Sequence, residues 1–250
     1  MSTINQKQNI EKELKFIISP KVSKEDIKVF LENLGLVFNH QDLQTDIYWD
    51  TNNFDIINLK RGLRVRYVSN VLKNIEFKSL FQDDSGKYVV EEIKLLKDNV
   101  LDKAVLEDIL VNRLNICKDC EFKQNLPIEQ YFSNLGLKSS VTLKKERSIF
   151  MDLQKSVEVC VDTVENLGIF LEVESVGDTV GLFEKIVEEL NNSGFAILDN
   201  THAGYLDLIL SKNPKILTKG DFEKRFAENH EWNVKNGERN VFLALTQLHE

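Results

Sequence analysis

Proline is scarce in this chain, with 3 among 250 residues, and glycine adds only 11. That scarcity excludes collagen-like repeats, low-complexity tails and long disordered tracts. Cysteine is also sparse. Cys117, Cys120 and Cys160 are odd in number and lack framework spacing, which suits a reducing cytoplasm and not a disulfide scaffold. Cys117 and Cys120 form one CxxC, but no second CxxC or HxxxH supplies the further ligands a zinc site needs. Free thiols are therefore expected there. The histidines stand singly, and His202, His230 and His249 show no pairing that suggests a metal or a triad. No apolar run approaches the length of a membrane span. Residues 1–9 are polar with no apolar h-region, so neither a signal peptide nor a membrane anchor is expected. Positive charge is in deficit: 32 Lys and Arg against 40 Asp and Glu leave a net charge of −8, a poor match for non-specific nucleic-acid binding. An anionic ligand would need a local concentration of Lys and Arg. What is present, 42% apolar residues, suffices for a sizeable core in one or two domains.

Strand-like and helix-like stretches alternate. Residues 24–36 read as a helix, with Ser23 as N-cap, Ile27, Phe30, Leu31 and Leu34 on one face, and Gly35 as the stop. A strand over 46–50 follows. Residues 126–136 repeat the theme, with Ile128, Tyr131, Phe132 and Leu135 periodic and Gly136 as the stop, followed by a strand over 145–151. The segments FLENLGL and YFSNLGL each precede an aromatic strand ending in Asp (Asp50, Asp152), which reads as an internal duplication. Residues 182–192 form a further helix, with Phe183, Ile186, Val187 and Leu190 on one face. Another is expected over 102–114, followed by a long loop over 117–125.

Strand side chains alternate between faces. Glu11, Glu13 and Lys15 oppose Leu14, Phe16 and Ile18. Arg64 and Arg66 oppose Leu63, Val65 and Tyr67. Glu76 and Lys78 oppose Ile75 and Phe77. Lys145 and Arg147 share a face. Glu158, Cys160 and Asp162 oppose Val157, Val159 and Val161, and Glu172 and Glu174 oppose Leu171 and Val173. A solvated polar face explains any one strand. Six strands with long like-charged side chains at i, i+2 ask for more, because adjacent like charges repel. Lys15, Arg64, Arg66, Lys78, Lys145 and Arg147 suit an anion of several charges, and Glu11, Glu13, Asp162, Glu172 and Glu174 suit hard cations. A polyphosphate with a bound divalent metal satisfies both sets. The simplest geometry turns these faces inside one closed antiparallel barrel, with helices covering its apolar exterior.

EKELK at residues 11–15 resembles the ExExK signature of the CYTH superfamily, the triphosphate tunnel metalloenzymes. QTDIYWD, LRVR, EFK, KERSIF, VCVDTVENLGIFLEVE and GYLDLIL follow in the family's order, spanning about residues 8 to 210. The resemblance implies an α+β fold, a closed eight-stranded antiparallel tunnel barrel flanked by helices, as a domain over residues 1–211. It implies Mg²⁺ or Mn²⁺ on Glu11, Glu13, Asp162, Glu172 and Glu174. It implies a triphosphate gripped by Lys15, Arg64, Arg66, Lys78, Lys145 and Arg147, with Lys15, Lys78, Lys145 and Arg147 nearest the chemistry. The register leaves open whether Glu91 or Glu92 joins the acidic set, and Lys94 stands where family members often carry a positive or an acidic residue, which leaves that strand's pattern open. Tyr205 matches a recurrent tyrosine whose role, packing or catalytic, stays open.

Two chemistries fit such a site. In a cyclase, the ribose 3′-hydroxyl of ATP attacks the α-phosphorus and pyrophosphate leaves. In a triphosphatase, acting on tripolyphosphate or an organic triphosphate such as thiamine triphosphate, water attacks the terminal phosphorus. KERSIF and the polar lead into EKELKF resemble the class IV adenylyl cyclase branch, which sets the expectation. A non-catalytic polyphosphate- or nucleotide-binding module and a purely structural barrel are the remaining readings. Residues 212–250 lie beyond the resemblance. There, Thr218 can cap a helix through Phe222, Phe226 and Trp232, and a second helix fits 241–248. This extension suits packing on the barrel, covering its end or a homodimer interface.

Overall fold

The computed structural model describes residues 12–82, 88–97, 100–116, 126–175, 181–198 and 204–211. Glu11, the CxxC, the 117–125 loop, His202 and the 212–250 extension, with the two helices expected in it, lie outside these. In chain order the elements are β1 (Lys12–Ile18), α1 (Lys24–Asn33), β2 (Val37–Asp50), α2 (Asp55–Asn58), β3 (Arg61–Val68), β4 (Val71–Gln82), β5 (Tyr88–Lys94), β6 (Leu96–Lys97), β7 (Val100–Leu101), α3 (Lys103–Glu107), α4 (Ile128–Asn134), β8 (Lys138–Met151), β9 (Val157–Val164), β10 (Gly168–Ser175), α5 (Leu182–Ser193), β11 (Ala196–Leu198) and α6 (Tyr205–Ser211).

Three expectations change. The strands foreseen over 46–50 and 145–151 are the ends of two 14-residue strands, β2 and β8. Residues 37–41 are exposed on both faces, so they carry no alternation to read. The helix foreseen over 102–114 is a short α3, capped by Asp102 on the Val105 amide, that widens into a π-helical turn over Asp108–Arg113. The helix foreseen over 24–36 stops at Asn33. Its start is a capping box, in which Ser23 Oγ accepts from the Asp26 amide and Asp26 accepts from the Ser23 amide.

The described chain divides into two compact units. Residues 12–42 and 145–211 form the first, and 43–144 the second. In unit one the strand order is β11-β1-β10-β9-β8-β2, and in unit two β8-β2-β3-β4-β5 with β6 and β7 as a separate ribbon. The long strands β2 and β8 each begin in one unit and end in the other. All recorded pairings of the main sheet are antiparallel. Among the described residues no pairing closes either ladder, so the expected closed eight-stranded barrel is not what the strands show. The outer edge of β1 is taken instead by β11, through Ile17 opposite Leu198 and Ile18 opposite Ala196.

Alternation sorts each core as expected. In unit one, Phe16, Ile18, Val157, Val159, Val161, Leu171 and Val173 form the apolar sheet face, covered by Ile27 and Leu31 of α1 and Phe183, Ile186 and Leu190 of α5. In unit two, Trp49, Leu63, Val65, Ile75 and Phe77 are covered by Leu106 of α3, Ile109 and Leu110 of the π-helical turn, and Tyr131, Phe132 and Leu135 of α4. Burial of apolar area at roughly 25 cal/mol per Å² makes these faces the main source of stability. Their helices leave the opposite, charged sheet faces to other uses.

The duplication is structural. α1 and α4 each run into Leu-Gly-Leu and a 14-residue strand. Gly35 (φ +86°) and Gly136 (φ +79°) reverse the chain in the left-handed region. The Leu36 amide then donates to Leu31 O at 3.1 Å and the Leu137 amide to Phe132 O at 3.0 Å. Each long strand ends at a carboxylate-centred turn. Asp50 accepts from the amides of Thr51, Ile56 and Ile57, and Asp152 from those of Gln154, Ser156 and Val157. The four-strand runs β2-β3-β4-β5 and β8-β9-β10-β1 correspond.

Candidate functional site

In unit one the register aligns residues into rows across one face. Glu13, Glu174, Glu158 and Met151 form one row. Lys15, Glu172, Cys160 and Ile149 form the next, and Ile17, Phe170, Asp162 and Arg147 a third. Lys145 lies two residues along β8 from Arg147, on the same side. Asp162, 0% exposed, is the hub. Lys145 Nζ donates to its Oδ2 at 2.7 Å, Arg147 Nε to Oδ1 at 2.7 Å and Arg147 Nη2 to Oδ2 at 2.5 Å. The Tyr205 hydroxyl donates to Oδ2 at 2.7 Å. Glu172 is paired with Lys15 (Nζ–Oε1 3.0 Å) and with Arg147.

These contacts set the charge states. Burial works against ionisation of Asp162, yet the Arg147 hydrogen bonds and the Lys145 and Arg147 charges hold its carboxyl below the usual range. Glu172 is likewise opposed by burial and held well below its usual value by Lys15, Arg147 and Lys145. Burial works against charge on Arg147, but Glu172 and Asp162 raise its pKa well above the usual. Burial pushes the Cys160 thiol up, so it stays protonated and donates to Glu158 Oε1 at 3.2 Å.

Unit two carries a corresponding face with more positive charge. Its rows are Asp46, Arg66 and Asn74; Tyr48, Arg64, Glu76 and Lys94; and Gly62, Lys78 and Glu92. Asp46, 1% exposed, accepts from Arg66 Nε and Nη2, both at 2.7 Å, and from Arg64 Nη1 at 3.1 Å. Arg64 also pairs with buried Glu76. Tyr48 is half-buried, and its removal from water raises its hydroxyl pKa. Lys78 pairs with Glu92 at 2.7 Å and its side chain is 46% exposed. The open register question is answered: Glu92 shares the charged face opposite Lys78, whereas Glu91 pairs with Arg113 on the other side. Lys94, opposite Glu76, stands where Lys15 stands opposite Glu172.

Of the expected residues, unit one thus gathers Lys15, Lys145, Arg147, Asp162 and Glu172. Unit two gathers Arg64 and Arg66, with Lys78 along the same face. Glu174 and Glu13 join the unit-one face by register, opposite each other. Three residues went unassigned in the sequence. Asp46, inside QTDIYWD, and Glu76, inside EFK, hold the arginines, and Glu158 stands in the row of Glu13 and Glu174. Strand pairing is the signal that finds them. Asp162 and Glu172 are hard oxygen donors held together on Arg147, and Glu174 lies on the same face by register, which suits Mg²⁺ or Mn²⁺ in kind. Among the described residues no three such side chains stand close enough to hold an ion. No helix among them is long and apolar enough to cross a membrane.

The CYTH domain pattern matches residues 9–203. A Methanocaldococcus jannaschii protein named "Putative adenylate cyclase" is 28% identical over 181 residues, 72% of this chain and 85% of its own. A solved Pyrococcus horikoshii structure, the PH1819 protein, is 21% identical with a TM-score of 0.47, covering 81% of this chain and 99% of its own. A solved Hippeastrum structure, described as a "Putative adenylyl cyclase" with a dominant triphosphatase activity, is 14% identical with a TM-score of 0.53, covering 81% of this chain and 95% of its own. Because the match spans well over half of the sequence, the chain belongs to the CYTH domain family.

Proposed function

We propose that this protein is a divalent-metal-dependent enzyme acting on a triphosphate, and specifically an adenylyl cyclase that converts ATP to cyclic AMP and pyrophosphate. The observation that carries the reading is the gathering of Lys15, Lys145 and Arg147 on two carboxylates, buried Asp162 and half-buried Glu172. Lys15, Lys145 and Arg147 orient the phosphates and stabilise charge on the departing group. In unit two, Arg64, Arg66 and Lys78 are phosphate-binding residues of this reading, with Asp46 and Glu76 holding the guanidiniums in place. A polyphosphate that takes over Lys15 and Arg147 leaves Glu172 in want of another positive partner. Glu11, Glu13, Asp162, Glu172 and Glu174 would hold Mg²⁺ or Mn²⁺, which supplies neutralisation of phosphate-oxygen charge when bound. Closure of the strands into a tunnel and a cytoplasmic setting belong to this reading.

Two observations favour the cyclase: the KERSIF segment, and the name carried by the archaeal relative. The triphosphatase is the second reading, favoured by the activity named for the Hippeastrum protein. Purified protein incubated with ATP and, separately, tripolyphosphate, each with Mg²⁺ and with Mn²⁺, separates them. Cyclic AMP with pyrophosphate supports the cyclase. Orthophosphate from tripolyphosphate without cyclic AMP overturns it in favour of the hydrolase. No turnover of either, with a triphosphate-dependent rise in Tm, leaves a binding module.

A further inference from the structure

One side chain of unit one touches both signs of charge at once. Tyr205, the first residue of α6, is 7% exposed and reaches the charged face. Its hydroxyl donates to Asp162 Oδ2 at 2.7 Å. The Lys15 ammonium lies 4.5 Å from its ring centroid and the Lys145 ammonium 4.8 Å. Phe170, in the Asp162 row, meets the ring edge-on at 5.1 Å. Behind it, Leu208 and Leu210 of α6 are fully buried, which fixes the helix and hence the ring.

The chemistry explains why a tyrosine serves here. Lys15 and Lys145 are long, flexible cations that repel each other, and they are paired with Glu172 and Asp162 respectively. An aromatic face attracts both ammoniums without adding a negative charge that would compete with an anionic ligand. The hydroxyl meanwhile orients the carboxylate that holds Lys145 and Arg147. A leucine here would fill space but neither attract the ammoniums nor donate to Asp162. A phenylalanine would keep the first function and lose the second.

We propose that Tyr205 is a positioning residue. Its ring holds the Lys15 and Lys145 ammoniums together, and its hydroxyl fixes Asp162, so that the cationic group of unit one is assembled before a triphosphate arrives. The role rests on the triphosphate reading above, but the placement of the lysines can be measured apart from it.

The test compares the full chain with Tyr205→Phe and Tyr205→Leu. Lysines are acetylated with acetic anhydride and read by peptide mass spectrometry, with exposed Lys185 as the internal reference. In the parent, Lys15 and Lys145 should label at least about tenfold more slowly than Lys185, as buried amines held on a ring do. Tyr205→Leu should raise both rates about fivefold relative to Lys185, and Tyr205→Phe should keep them within about twofold of the parent. With tripolyphosphate or ATP as substrate, Tyr205→Leu should raise KM about tenfold with a smaller change in kcat, and Tyr205→Phe about threefold. Unchanged lysine labelling in Tyr205→Leu overturns the proposal. Should that variant lose its fold, Tyr205→Phe decides: protected lysines with a raised KM support the role, and a parental KM overturns it. Ring-dependent protection in a protein that neither binds nor turns over ATP or tripolyphosphate refutes the triphosphate reading while upholding the placement.

Discussion

The Asp46 hub of unit two makes a sharp energetic prediction. Its carboxylate, 1% exposed, takes two hydrogen bonds from Arg66 and one from Arg64. Asp46→Asn keeps the shape but removes the charge that neutralises two guanidiniums on one sheet face. Arg64 retains Glu76, whereas Arg66 loses its charge-assisted pairing with Asp46. Breaking one side of a buried ion pair costs about 3–5 kcal/mol, and the retained amide oxygen places this change near the lower end. Against a total stability of about 5–15 kcal/mol that is a large share. At roughly 2–4 °C per kcal/mol for a chain of this size, Tm should fall by about 6–12 °C. Removing both partners is gentler than removing one, because no buried charge is left over. The double variant Asp46→Asn/Arg66→Met should therefore be more stable than the two single changes sum to, by about 1–3 kcal/mol. Urea and thermal unfolding followed by circular dichroism measure all four corners of this cycle. A loss below about 1 kcal/mol for Asp46→Asn, or strict additivity, refutes the reasoning. The same substitution should enlarge the Tm rise produced by tripolyphosphate, since the arginines no longer have that carboxylate to leave.

Glu172→Gln should cut turnover about 100-fold or more, measured well below its own Tm because the loss of the Lys15 and Arg147 partner also lowers stability, and unchanged turnover in both Glu172→Gln and Glu174→Gln would end their assignment as metal ligands. Asp152 supplies a pH test. Burial opposes its ionisation, but hydrogen bonds from the Val157, Ser156 and Gln154 amides and the Ser156 hydroxyl hold its carboxyl below the usual value. Its contribution is thus present above the unfolded-state pKa near 3.8 and lost as pH falls through the folded value. Asp152→Asn should cost about 1–3 kcal/mol at pH 7, and the Tm gap to the parent should close on acidification below about pH 4; a gap that widens there contradicts the sign. Gly136→Ala meets no atom within 4 Å but needs φ +79°, so only backbone strain opposes it. A loss of about 1–2 kcal/mol is expected in chemical denaturation, and a neutral result would place the strain elsewhere.

The period-two alternation carried most of what could be read without coordinates. It assigned Phe16, Val159 and Leu171 to the covered face and Lys15, Asp162 and Glu172 to the other, because both faces of those strands differ sharply in polarity. It gave no hint of the first half of β2, where exposed Val37, Phe38 and Asn39 share no pattern. Alternation puts Glu76 on the charged face but gives neither it nor Asp46 a partner: each holds an arginine only once β2 and β4 flank β3. The register of Glu91 and Glu92 is likewise a property of β4 beside β5. The π-helical turn at Asp108 leaves no mark in hydrophobic spacing, since Ile109 and Leu110 suit an α-helix as well.

The two long strands bear on how the chain comes to be folded at all. β1 is made first, yet its partner β10 lies more than half the chain away, and β8 must also be complete before either ladder has its full set of neighbours. Early segments therefore wait during synthesis with unsatisfied edges, in a topology rich in distant pairings that folds slowly. β2 and β8 each run from one unit into the other, so a cut at the unit boundary would sever two strands and not two loops. Neither half is therefore a promising candidate for expression by itself.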